Sequence, residues 1–231
     1  MKKLSPAYRD DSYEGLSLDV KMYLDKHFLN KLKNRTVINP KLLVVFSGGN
    51  AVGKSTLSQK IASELLGVII ENDAVKAQLL NLKPNIDHDT LQLLTWQYTM
   101  NLYMRIGKEI KNGLIVRDGV IDWYYDRILP LFEKQGYTLF IIGYSLSKQK
   151  NIELIQSRGD KQTVSTERLI TLLEDHAIHQ RRFREIYQPD IVLNDTTVFD
   201  HQLVINTLRQ KLESLNHRQQ KIDSPNQDIK Q

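Results

Sequence analysis

The chain of 231 residues has no cysteine, which excludes disulfides and thiolate metal centres and agrees with a reducing, cytoplasmic location. Long apolar runs are missing too. Nothing approaches the roughly 20 residues that cross a bilayer, and Met1-Lys2-Lys3-Leu4-Ser5-Pro6-Ala7 leads into charged sequence rather than a secretory apolar core. No membrane partner is therefore expected. Charge of one sign is scarce: 32 Lys and Arg stand against 27 Asp and Glu, a net charge of +5. That excess suits anionic ligands but falls short of a nucleic-acid surface. No segment repeats, so a solenoid is not expected. What is present, 41% hydrophobic and 26% charged residues, is the composition of a folded domain with a buried core. Nothing across residues 40–215 breaks that composition, so one core is expected there. Residues 1–40 read as a helical extension and residues 216–231 as a polar, disordered tail.

The densest signal is the apolar run Leu42-Leu43-Val44-Val45-Phe46-Ser47 followed by Gly48-Gly49-Asn50-Ala51-Val52-Gly53-Lys54-Ser55-Thr56. A strand running directly into G-x-x-x-x-G-K-S and then a helix is a phosphate cradle, and residues 48–56 are the predicted nucleotide contacts. Glycines at 48 and 53 let the backbone bend and approach a ligand, so that successive N–H groups and the helix N-terminus face phosphate oxygens. Lys54 is placed to reach the β- and γ-phosphates, and the Ser55 hydroxyl to hold Mg²⁺.

Further along, Leu57, Ile61 and Leu65 recur every four residues, as on one face of a helix. Val68-Ile69-Ile70 predicts a second strand ending at Glu71-Asn72-Asp73, followed by a helix from near Ala74 to Leu82. Asp89-x-x-Gln92 predicts the capped start of a long helix closed by Gly113. Strands are expected at Leu114–Asp118, Tyr137–Tyr144 and Asp190–Asn194, with a helix interrupted by Pro130 between the third and fourth. Alternating strands and helices force crossovers, so the fold class is three-layer α/β: a five-stranded, mostly parallel sheet with helices on both faces. Chemistry then belongs at the carboxyl ends of the strands, where Asp73, Asp118, Ser145 and Asn194 fall.

This arrangement resembles the P-loop kinases of the adenylate kinase, gluconate kinase, zeta toxin and polynucleotide kinase type over roughly residues 41–213. Two segments carry the resemblance: Asp73-Ala74-Val75-Lys76, similar to a second-strand Asp-x-x-Arg element with lysine in place of arginine, and Asp118-Gly119, similar to a third-strand Asp-Gly. The resemblance implies ATP and Mg²⁺ as cofactors, Asp73 as the base that accepts the acceptor proton, and Asp118 as a water-mediated Mg²⁺ partner. It also implies a small lid after the fourth strand, in which Arg158 closes over the nucleotide, with Lys161 and Arg168 as weaker candidates. From the residues alone, Asp73 also fits a helix cap and Asp118 a turn residue, as the lesser readings. His176, His179, Arg181, Arg182 and Arg184 crowd one helix, where a charge run is commonly a solvated face. The two histidines lack the third ligand a zinc site needs.

No N-K-x-D guanine-reading element and no strand-end Asp-Glu pair occurs, which points away from GTP switches and motor ATPases. Asp118-Gly119 is followed by Val120-Ile121-Asp122 rather than the Phe-Pro-Arg of nucleoside monophosphate kinases, which disfavours a phosphorylated acceptor. The expected function is an ATP-dependent kinase acting on a small-molecule hydroxyl. A polynucleotide 5′-hydroxyl or zeta-toxin-like sugar-nucleotide kinase, and a nucleotide-gated binding module, are the alternatives.

Overall fold

The structure, a computed structural model, describes residues 16–30, 40–109, 113–157 and 165–223. At its centre lies β1 (Leu42–Ser47), buried along its whole length. Leu43 and Val45 point into one hydrophobic cluster, while Leu42, Val44 and Phe46 point into another. That is the period of two imposed by the pleat, and burial on both faces is what a central parallel strand requires. With β2 (Val68–Glu71), β3 (Leu114–Val120), β4 (Thr138–Tyr144) and β5 (Ile191–Leu193), it forms an open sheet of order β2-β3-β1-β4-β5. Every pairing is parallel.

One face of the sheet is covered by α1 (Leu18–His27), α3 (Asn72–Leu82), α4 (His88–Glu109) and α5 (Tyr125–Lys134). These helices contribute Val20, Leu24, Val75, Leu79, Ile106 and Phe132 to the first cluster. The other face is covered by α2 (Lys54–Glu64), α6 (Lys148–Ser157) and α9 (His201–Asp223), through Leu57, Ile61, Leu154, Leu208 and Leu212. Helices α7 (Thr166–Thr171) and α8 (Leu173–Ile186) lie near the carboxyl ends of the strands, with Phe183 of α8 seated in the first cluster. The three-layer α/β expectation holds. Among the described residues no helix is long and apolar enough to cross a membrane.

Several local expectations shift. In α1, Leu18 and Met22 are exposed while Val20 and Leu24 are buried, with Leu16 buried just before the helix. The helix is fixed in that rotation by side-chain bonds on its flank, from Tyr23 Oη to Gln78 and from Arg105 to Asp25. Helix α4 starts one residue before Asp89, and its capping side chain is Asp87, whose carboxylate accepts the Thr90 amide at 2.9 Å. Pro130 sits inside α5 without interrupting it; burial of Ile128, Leu129 and Phe132 outweighs the lost backbone bond. Residues 216–223 continue α9 rather than opening a disordered tail. The anchored stripe ends at Leu215, but the Arg, Gln and Lys beyond it are good helix formers. The rest of the tail lies outside the described residues.

Candidate functional site

Beyond Ser47 the chain enters a loop with left-handed residues at Gly48 (φ +113°), Ala51 (φ +66°) and Gly53 (φ +83°). Such a conformation turns successive amides toward one concave side. Gly53 is also the N-cap of α2, contributing no side-chain bond, so the first amides of that helix are left for a ligand. Packing demands glycine at 48 and leaves little room at 49. A Cβ on Gly48 would stand 2.7 Å from the Tyr144 carbonyl oxygen, and one on Gly49 would stand 2.5 Å from Asn151 Oδ1. Residues 50–56 line an open cleft of about 570 Å³, with Gly48 and Gly49 behind it. Inside the loop the Lys54 ammonium donates to the Gly49 carbonyl and lies 6.0 Å from the Tyr144 ring centroid.

Opposite the loop, the cleft is walled by Glu71, Asn72, Asp73 and Lys76 from the β2–α3 junction and by residues 117–120 of β3. Parallel register sets Glu71 beside Asp118. Burial raises the Asp118 carboxyl above its ordinary range, against the Ser55 hydroxyl and the Lys54 ammonium, which favour its ionised form, while the charge of Asp73 adds to the rise. Burial raises Glu71 as well, helped by the charges of Asp118 and Asp73. The charges of Asp118 and Asp73 thus bear on Glu71, and that of Asp73 on Asp118, electrostatics that a cation or a proton relieves. Asp73 itself is 74% exposed and pairs with Lys76 at 3.1 Å. It does not cap α3. That helix begins two residues before Ala74, with Glu71 as the N-cap residue, and Asp73 sits within its first turn.

Helix α8 rests on the loop and on the end of β4 through every fourth residue. Asn50 meets His176 Nε2 at 3.0 Å; Gln180 Nε2 and Arg184 Nη2 both donate to the Tyr144 carbonyl, at 2.7 and 3.2 Å. The Trp123 indole donates to His176 Nδ1 at 3.2 Å, and its ring stacks on His179 with centroids 3.8 Å apart. An indole N–H only donates, so His176 Nδ1 carries the lone pair and Nε2 the hydrogen. Asn50 must then present its carbonyl oxygen to the ring, which leaves its NH₂ for the cleft. Burial, with Lys54 nearby, holds His176 neutral down to about pH 4. The two histidines thus serve packing and hydrogen bonding. Arg184 parts from Arg181 and Arg182, which are exposed.

Of the residues nominated from sequence, the structure gathers Asn50, Ala51, Val52, Gly53, Lys54, Ser55, Thr56, Asp73 and Asp118 around one cleft. Arg158 and Lys161 lie outside the described residues. Arg168 is exposed on α7, and its amide is capped by Ser165 Oγ. Sequence reasoning missed Asp122 and Trp123. Asp122 Oδ2 accepts the Gly48 amide at 2.7 Å and so pins the base of the loop, and burial raises its carboxyl against Ser47, that amide, Lys54 and Arg184. The only signal was an acid four residues beyond Asp118 in an apolar setting.

No protein-family model matches the chain, and no curated protein matches it in sequence. Solved structures do share its fold. A Chloroflexus aurantiacus protein proposed to be a kinase aligns at 23% identity with a TM-score of 0.55, over 78% of this chain and 99% of that one. A protein of the PezAT chromosomal toxin–antitoxin system of Streptococcus pneumoniae aligns at 13% identity and TM-score 0.56, over 79% and 81% of the two chains. Shikimate kinase from Bacteroides thetaiotaomicron aligns at 13% identity and TM-score 0.50, over 76% and 99%. The fold is that of the P-loop kinases.

Proposed function

We propose that the chain is an ATP-dependent kinase that transfers the γ-phosphoryl group to a hydroxyl of a small molecule. The observation that carries this reading is a single cleft in which loop residues 50–56 face Asp73, Lys76 and Asp118 from the ends of two other strands. In this reading the loop amides and the α2 N-terminus bind the triphosphate, and Lys54 leaves the Gly49 carbonyl to follow charge onto the moving phosphoryl group. Ser55 and Asp118 offer the hard oxygen donors that Mg²⁺ prefers, and most of its remaining ligands would be phosphates and water. When bound, the ion would neutralise phosphate charge. Asp73, free of capping duty and open to the cleft, orients the acceptor hydroxyl and takes its proton. Arg158 completes the charge stabilisation in this proposal, and the cytoplasm is its setting.

Incubation with ATP, Mg²⁺ and a metabolite extract, followed by mass spectrometry, should reveal a new phosphorylated product. Asp73→Asn should lower turnover by roughly 10²- to 10⁴-fold with ATP affinity essentially intact. ATP binding with no product from any alcohol would leave a nucleotide-gated binding module, and a substrate confined to nucleic-acid ends would show steep salt dependence.

A further inference from the structure

Arg117 lies on β3 one residue before Asp118, and it is only 3% exposed. Its sole hydrogen bond among the described residues runs from Nη1 to the Gly119 carbonyl at 3.0 Å, it makes no ion pair there, and its Nε is buried without a partner. A guanidinium removed from water is strongly unfavourable unless an anion or several acceptors meet it. The groups around it are neutral, phenols and an indole rather than a carboxylate. The buried Tyr103 hydroxyl faces the guanidinium, from which its oxygen can accept, and the indole nitrogen of Trp96, whose ring lies 4.8 Å from that of Tyr124, has no hydrogen-bond partner. The Tyr124 phenol also feels the charge of Arg117.

Arg117, Gly119 and Tyr124 all line the cleft that holds Lys54, Asp73 and Asp118. Gly119 has φ +138°, and a Cβ there would stand 3.4 Å from Arg117 Nη1. A side chain at 119 would therefore crowd the narrow cleft-side approach to the guanidinium. Nη1 is engaged by the Gly119 carbonyl and Nε is sealed from the cleft, so an anion there meets the Nη1–Nη2 end of the guanidinium, whose remaining N–H groups can take two oxygens of a planar anion.

We propose that Arg117, flanked by Tyr103 and Tyr124, is an oxoanion subsite for the acceptor, so that the alcohol phosphorylated here also carries a carboxylate. A singly charged carboxylate matches one guanidinium. A dianionic phosphate would face repulsion from Glu71, Asp73 and Asp118 on the same cleft. The word acceptor rests on the kinase reading; the subsite itself rests on Arg117.

The test separates the two. In ¹⁵N-labelled full-length protein, the Arg117 Nε–H signal is assigned by its loss in Arg117→Lys and followed during titration with glycolate and 4-hydroxybenzoate, and with glycolamide and 4-hydroxybenzamide. At least one acid should shift the signal saturably, and its amide should bind about 10- to 100-fold more weakly. Arg117→Lys should remove that preference, and Tyr124→Phe should weaken the acid several-fold with the fold unchanged. ATP affinity should stay constant in both variants. An Nε–H signal indifferent to both acids, or equal binding of acid and amide, overturns the subsite even if neutral alcohols are phosphorylated. Acid binding at Arg117 with no phosphoryl transfer to any hydroxy acid sustains the subsite and overturns the kinase reading.

Discussion

The two walls of the cleft are made of different material. The loop wall is a single segment, residues 48–56, whose contribution is mostly main chain: left-handed turns, exposed amides and the start of α2. The opposite wall is assembled from side chains of β2, α3, β3, α7 and α8, brought together only by the sheet order. A wall of backbone recognises what every phosphate shares, whereas a wall of side chains recognises one acceptor. The first can be written in a short motif; the second depends on the whole fold.

The sharpest break between the walls is Lys54→Ala. It should lower phosphoryl transfer by about 10³-fold or more, measured as product formed per enzyme, while carboxylate titration at Arg117 remains unchanged. Next comes the bridge between the walls, His176. Its pKa falls from 6.5 to about 4 in the folded protein, so between those values the unfolded chain binds more protons. Stability is then fully present above pH 6.5 and lost as pH falls toward 4, by up to about 3 kcal/mol. His176→Gln should flatten that part of a pH series of urea melts. Gly48→Ala should cost about 2 kcal/mol of stability through its positive φ and the Tyr144 carbonyl, read as a lower melting temperature. The smallest effect is expected from Lys76→Ala. Its partner Asp73 is largely solvated, so stability should change by less than about 0.5 kcal/mol, and acceptor turnover should change with ATP affinity constant.

If Gly48→Ala and Lys54→Ala leave nucleotide affinity untouched while changes on the opposite wall abolish it, the division between the walls is wrong. Differential titrations of ATP and of a hydroxy acid on each variant would show this directly.

The same division explains what could be read from sequence. Gly48 through Thr56 were legible because strand, turn and helix follow one another in the chain, and the unbroken apolar run Leu42–Phe46 is what a strand buried on both faces requires. Asp73 and Asp118 were legible as strand ends. Their shared electrostatics were not, because Glu71 joins them through parallel register, which no local pattern reveals. Asp122 read as a departure from a familiar segment, yet its carboxylate holds the first amide of the loop across 74 residues of chain. His176 read as part of a charged helix face, but its neighbours, Asn50 and Trp123, come from two other segments. The start of α3 shifted because helical geometry begins at the strand end itself, leaving no separate cap.

The outer strands of the sheet also shape how the molecule behaves in company. β2 has four residues and β5 three, so each border offers few main-chain groups on which a stranger's strand could zip up. While the fold persists, crowding should therefore bring little edge-to-edge polymerisation, and the long apolar strands most prone to clump stay in the middle of the sheet, where no neighbour can reach them.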